Sequence, residues 1–551
     1  MSSSPLSARL AAVLLAAISS TAGAAPGGNG ETIPDWRYVV KPGDTLISIA
    51  QRYLAQAGEW PSIQRSNRIA DPHRILPGTI VRIPATMLRK EPGAARLEKI
   101  NGSVRWHGGD GEWRAAADGL RLAAGTTVET LDDSSALLVL ADGSRIVIAP
   151  GSMLTLDALS VYAGGLMADT RLHLPRGQAD IAANPGNLLQ QNLRIRTPSA
   201  QAVVRGTRFR VEADASASRE ATLSGLVGVV AAGARVAVPA GKGTMVREGE
   251  PPIVPVALLP AADVSRLPAR FEYLPMRFEL PQLPGAVEWQ GLIAPDREVE
   301  SILSTKRTRS GHLTFADLPN GDYVLALRAI DVNGLQGRDA LHGFTVFARP
   351  FPPGLNTPGD GATVRTARPR FVWGNVVDAA RYRFQVSADA GFATPLHDAV
   401  VTDESGEVGA DLPPGSLFWR AATLAGTGEQ GPWGRPAAFT YKPEPGPADL
   451  GKAALSIDHE RLALTLPPPP EGMRYEALLA ADKGLQPALA QAQSDEGTFE
   501  FASPATGTFY LGVRLVDMSD GTPGPLSVQK VDIPADRRLW LLLLLPLALL
   551  L

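Results

Sequence analysis

The sequence predicts a multidomain, mainly β protein: a small βααβ module, an all-β domain and three β-sandwich repeats in succession. Three observations predict it. The stretch YVVKPGDTLISIAQRYL (38–54) compresses an apolar strand, a Pro-Gly-Asp turn and an amphipathic run into very few residues. Further on, apolar and polar residues alternate around Asp-Gly turns. In the second half, a glycine followed by an apolar strand recurs about every ninety residues.

Composition bounds the function before any motif does. With 551 residues, 44% of them apolar and 20% charged, the chain fits several folded domains better than one core. Its 53 Lys and Arg against 56 Asp and Glu give a net charge of -3, which lacks the basic surface that nucleic acid requires, so no nucleic-acid partner is expected. The absence of cysteine excludes disulfides, thiolate metal ligands, an acylated cysteine and a cysteine nucleophile.

Residues 1–24 read as a signal peptide, with Arg9 ahead of an apolar run at 10–18 and with Ala22 and Ala24 placed for cleavage after Ala24. The run is shorter than the roughly 20 residues of a spanning helix, so export to the periplasm or cell envelope is the expectation. Residues 537–551 form an apolar tail. As a helix, Leu539 to Leu551 would reach about 20 Å, with Arg537, Arg538 and Trp540 at the headgroups, and a membrane contact through this segment is expected.

Residues 36–85 form the first module. Tyr38 to Val40 read as a strand, Asp44 or Thr45 as a helix N-cap, and Leu46, Ile49, Ala50 and Tyr53 as one helical face. A second short helix holds Ile63 and ends near Asn67, and Ile80 to Ile83 make the closing strand. Val40, Gly43, Asp44, Thr45, Leu46, Ile49 and Ala50 spell V-x-x-G-D-T-L-x-x-I-A, and Trp60, Ile63, Asn67, Ile75, Pro77, Gly78 and Ile83-Pro84 continue the pattern. The module resembles LysM. That resemblance implies binding of N-acetylglucosamine-containing glycans, mainly peptidoglycan, without a cofactor or metal. The groove it implies sets Gly43, Asp44, Thr45 and Leu46 against Ile75, Leu76, Pro77 and Gly78, with Asn67 close by. Asp44 and Asn67 have a structural alternative, capping a helix or closing a turn, and Leu46, Ile49 and Ile63 have one as core.

After a turn-rich segment at 88–95, residues 96–248 read as the all-β domain. SALLVLADGSRIVIAP places a hairpin on Asp142-Gly143, and Ile195, Val203, Phe209 and Val211 carry the alternation onward. The D-G-S-x-I-x-I segment at 142–148, T-P-x-A at 197–200 and R-G-T-x-F-x-V at 205–211 resemble the FecR domain. The resemblance implies the fold, an envelope location and, more weakly, a sensory or protein-binding role. Gly143 and Gly206 read as turn glycines, and Arg205 and Arg208 as solvated strand positions.

Residues 249–268 are proline-rich and read as a linker. Beyond it, Gly321, Gly415 and Gly507 each precede an apolar strand carrying Tyr323, Leu417 or Phe509, and Trp289, Tyr382 and Tyr475 mark the second of two upstream strands. The repeats at 269–348, 350–442 and 448–534 resemble fibronectin type III or related immunoglobulin-like sandwiches, with these aromatics as core.

No catalytic residues emerge. His459-Glu460 lacks a second histidine at zinc spacing, and Ser527 and Lys530 match S-x-x-K without its companion motifs. The expected function is therefore noncatalytic: peptidoglycan binding through the LysM module, with the FecR-like and sandwich domains shown to envelope proteins. The alternatives are an envelope regulator sensing through residues 96–248 and, last, a cell-wall hydrolase.

Overall fold

The computed structural model describes residues 35–184, 190–204, 206–409, 411–457 and 460–533. The signal-peptide and tail readings, Arg205 and His459 lie outside the described residues. The chain divides into two compact units, 1–346 and 347–551.

In the first unit, β1 (Trp36–Val39) pairs antiparallel with β2 (Ile80–Ile83), with Trp36 opposite Ile83 and Val39 opposite Ile80. The strand starts two residues earlier than the sequence indicates, because Trp36 joins the core. Helix α1 (Leu46–Tyr53) is capped by Thr45, whose Oγ1 accepts from the Ser48 amide (3.0 Å) while Ser48 Oγ accepts from the Thr45 amide (2.9 Å). Leu46, Ile49, Ala50 and Tyr53 then fall on one buried face. Helix α2 (Trp60–Ser66) contributes Ile63. The rings of Trp36, Tyr38 and Tyr53 pack with centroids 5.0, 5.1 and 5.5 Å apart.

This core is not self-contained. Tyr162, Ala163 and Met167, from the next domain, are buried in it. Segment 88–95, read as turn-rich, supplies the strand Lys90–Pro92, which pairs with Ser160–Tyr162 at the same tip.

The strands from Lys90–Pro92 to Val256–Ala257 close into a barrel. Its longest pieces are Met153–Tyr162 and Met167–Ala182, a hairpin whose second strand runs parallel to Gln190–Arg196 and then antiparallel to Arg208–Ala213. The expected hairpin joins Ser135–Val139 to Arg145–Ile148, and Gly143 takes φ +81° in its turn. Alternation predicts one buried face here, but both are buried. Ala136, Leu138, Ile146 and Ile148 fill the barrel, whereas Leu137, Val147 and Ala149 pack against Leu292, Ile302 and Ala326 of the first sandwich. A second packing partner turns an alternating strand into a continuous apolar one.

A charged network sits beside that contact. Arg328 donates to Asp180 Oδ2 (2.6 Å), Asp339 Oδ1 (2.5 Å) and Gln336 Oε1 (3.1 Å), and Arg210 donates to Asp180 Oδ2 (3.2 Å), the Gly337 carbonyl (2.7 Å) and Asp339. Both guanidiniums are 3% exposed. The proline-rich segment 249–268 is not a free spacer: Val256–Ala257 pairs with Lys242 and Gly243, and Leu258 packs on Ala221 and Leu335.

The repeat at the sequence level is also a repeat in topology. Gly321–Ile330, Gly415–Ala425 and Gly507–Asp517 each begin at the recurrent glycine and pair with Glu288–Ala294, Ala379–Ser387 and Met473–Ala480. Trp289, Tyr382 and Tyr475 on the latter strands are buried, as is Leu417, while Tyr323 and Phe509 are half-buried. Each repeat sets a smaller sheet beside a larger one. The second unit holds the second and third sandwiches, in which Asp517 pairs with Arg365 and Lys442.

Candidate functional site

The two loops of the first module lie side by side. The Gly78 amide donates to the Val40 carbonyl (2.8 Å), Val40 donates to Thr79 (2.9 Å) and Leu46 to Pro72 (2.8 Å). The last bond satisfies an amide that the first turn of α1 leaves without an intrahelical partner. Gly43 and Gly78 take φ +87° and +89°, conformations that a side chain would strain, so both turns depend on glycine. At the surface this brings together Gly43, Leu76, Pro77 and Gly78, all exposed, with Ile75 half-buried beneath. Leu76 is 79% exposed and stands beside the exposed Pro77 and Gly78.

The other sequence-predicted site residues serve the scaffold. Leu46 is fully buried, which removes its side chain from any contact set. The Asp44 carboxylate accepts from the Tyr38 hydroxyl (2.5 Å) and the Lys41 amide (2.9 Å), with Arg52 at 3.6 Å. Burial alone would raise its pKa, but these hydrogen bonds and the Arg52 charge hold it below the usual carboxylate range. Burial and then Asp44 push the Tyr38 hydroxyl above its ordinary value. Asn67 ends α2 and bridges to β2, donating to the Arg82 carbonyl (2.7 Å) and accepting from its amide (2.7 Å). Thr45 is the cap of α1. Asp44 and Asn67 thus make the turn-closing bonds of the structural alternative, Thr45 and Asn67 stay half-buried, and the exposed residues of the predicted set are Gly43 and Leu76 to Gly78.

Among the described residues, the amides of Ile75 and Leu76 and the carbonyls of Gly43, Ile75 and Pro77 make no backbone hydrogen bond. A loop with open amides and carbonyls beside an apolar side chain can pair with an amide ligand and cover its methyl group. The sequence did not decide the burial of Asp44 and Leu46 within the first loop, because burial within a turn carries no local signal.

Elsewhere the motif segments close turns. Asp142 accepts from the Ser144 amide (2.8 Å), and Thr197 Oγ1 from the Ala200 amide (3.1 Å). Arg208 is exposed. Ser527 Oγ donates to the Ala448 carbonyl (2.7 Å) while Lys530 pairs with Asp532, so the S-x-x-K pair does not meet. Among the described residues no cluster of three or more His, Asp or Glu could hold a metal, and no helix is long and apolar enough to cross a membrane.

Comparison with known proteins bears on two segments. The family model of the LysM domain matches residues 38–84, and that of the FecR protein matches 126–228. An uncharacterized protein of Deinococcus radiodurans is 43% identical over 54 residues, 10% of this chain and 21% of that protein, so the chain spans about a fifth of that relative. Among solved structures, the FN1-FN3 domains of chicken CNTN1 align at 13% identity over 50% of this chain and 99% of theirs, with a TM-score of 0.22. The fibronectin(III)-like modules of Clostridium thermocellum CbhA align at 11% identity over 34% and 95%, with a TM-score of 0.20. LysM domains generally bind glycan, and both matched families are noncatalytic and typical of cell-envelope proteins. The chain therefore carries a LysM domain, of a family that binds glycan, and a FecR domain, within a mainly β architecture that continues into sandwich repeats.

Proposed function

We propose that this chain is a noncatalytic cell-envelope protein that binds the glycan strands of peptidoglycan through Gly43 and Ile75 to Gly78, and presents its barrel and sandwiches to other envelope proteins. The observation that supports this reading most is the exposed Leu76 beside unpaired backbone groups on the loop. An N-acetyl group offers a carbonyl, an amide and a methyl, which matches that loop's chemistry.

The test is co-sedimentation of the protein with purified sacculi, comparing the natural sequence with Leu76→Asp, and with the supernatant assayed for released muropeptides. Pelleting that the substitution abolishes, with nothing released, is the expected result. Pelleting unchanged by the substitution would reject the loop as the contact. Point substitution suits this protein better than deleting the module, which would uncover Tyr162 and Met167.

The FecR match over 126–228 favours a second reading, an envelope sensor acting through the barrel. Under it, disrupting the barrel abolishes a transcriptional response while Leu76→Asp alters it only when the wall is the signal.

A further inference from the structure

In each sandwich, the strand that follows the aromatic-bearing one lies at the edge of its sheet: Ser304–Thr308, His397–Val401 and Ala488–Ser494. An edge strand leaves a row of amides and carbonyls open to another strand, and soluble proteins guard such edges with charge or shortness. The first edge, STKRT, carries Lys306 and Arg307. The second, HDAVV, carries Asp398, ion-paired to Arg383. The third, ALAQAQS, is seven residues long with no charge and no proline, and shows Leu489 56% exposed.

The open edge is also held in shape. Beyond one irregularity near Leu489, residues 490–494 pair regularly with Tyr475–Leu479. Gln491 and Gln493 both donate to Glu476 Oε1 (2.6 and 3.4 Å), and Arg514 holds the other carboxylate oxygen (2.5 Å). Their side chains stand in an ordered row with amide carbonyls left to accept.

We propose that this edge joins a second copy of the chain, the two Ala488–Ser494 strands pairing antiparallel about Ala492. In that register Gln491 meets the partner's Gln493, Ala490 meets the partner's Ser494, and no like charges face each other. The same self-pairing at Ser304–Thr308 would set Lys306 against its own copy, so the chain guards this edge in one repeat and leaves it open in another. A symmetric edge contact is isologous and closes at a dimer.

Sedimentation velocity of the full chain across the micromolar range tests it, alongside the double variant Gln491→Lys, Gln493→Lys. The natural chain is expected to pass from monomer to dimer, and the variant to stay monomeric while retaining a cooperative melting transition that shows it folded. Because the chain has no cysteine, an Ala492→Cys variant can form only an intermolecular disulfide, and oxidation is expected to link it. A natural chain that stays monomeric, a lysine variant that associates equally well, or association without the Ala492→Cys cross-link would each overturn the proposal.

Discussion

Carboxyl groups in and beside the barrel leave water in two different settings. At its junction with the first sandwich, Asp180 and Asp339 face Arg210 and Arg328. Inside its wall, Glu220 has only the Thr222 hydroxyl (2.7 Å), and its second oxygen has no partner. The outcomes are opposite. Burial pushes Asp339 up, but the two guanidiniums outweigh it and hold the carboxyl at about 2. For Glu220 burial meets almost no opposition and lifts it to about 8. Burial alone does not set the protonation state; the partner does.

Breaking the paired setting has the largest expected effect. Arg328→Ala leaves two partly buried carboxylates sharing one guanidinium and is expected to cost about 2–4 kcal/mol in urea unfolding, below the full cost of breaking a wholly buried pair. A cost under about 1 kcal/mol would show the network to be solvated. On the acid side, the contribution of Asp339 is complete above its unfolded value near 3.8 and fades as pH falls toward 2.

Glu220 gives the opposite pH signature. Its folded pKa lies above the unfolded 4.5, so the native state retains a proton that the unfolded state loses, and stability falls as pH rises from about 4.5 to about 8. Glu220→Gln is expected to recover roughly 2–4 kcal/mol at pH 8.5 and nothing at pH 4. Melting curves at both values check it, and equal gains at the two would remove the lone-carboxyl account.

Smaller effects sharpen the same contrast in the LysM domain. Asn67→Ala loses both bonds to Arg82 and should cost about 1–2 kcal/mol, with sacculus binding reduced only in proportion to unfolding. Leu76→Asp should change stability by less than about 0.5 kcal/mol yet weaken pelleting. If Asn67→Ala abolishes binding in a folded protein, its amide touches the glycan after all.

Local chemistry was legible and long-range burial was not. A helix N-cap at Asp44 or Thr45, the glycine turns at Gly43 and Gly143 and the helical face from Leu46 to Tyr53 depend on residues within a few positions of each other, so the sequence displays them directly, whereas the choice of Thr45 with Ser48 as its capping partner came from the structure. Arg210 and Arg328 occupy ordinary strand positions 118 residues apart, and only folding shows that they share Asp180. The same holds for Leu137 and Val147, whose second apolar face has meaning only once the first sandwich covers it. Within the candidate site, the motif located both loops, but the roles of Asp44 and Asn67 follow from Tyr38 and Arg82, which no spacing rule points to.

The burial of Tyr162 and Met167 in the LysM core makes that domain a mount rather than a bead on a string. On the proposed function, a pull applied at a bound glycan would reach the barrel through packed side chains and the ladder of Lys90–Pro92, and enter at the tip of its longest hairpin. There the load runs along strands that must shear many hydrogen bonds together to yield. Tension in the wall would be delivered to the barrel with little slack.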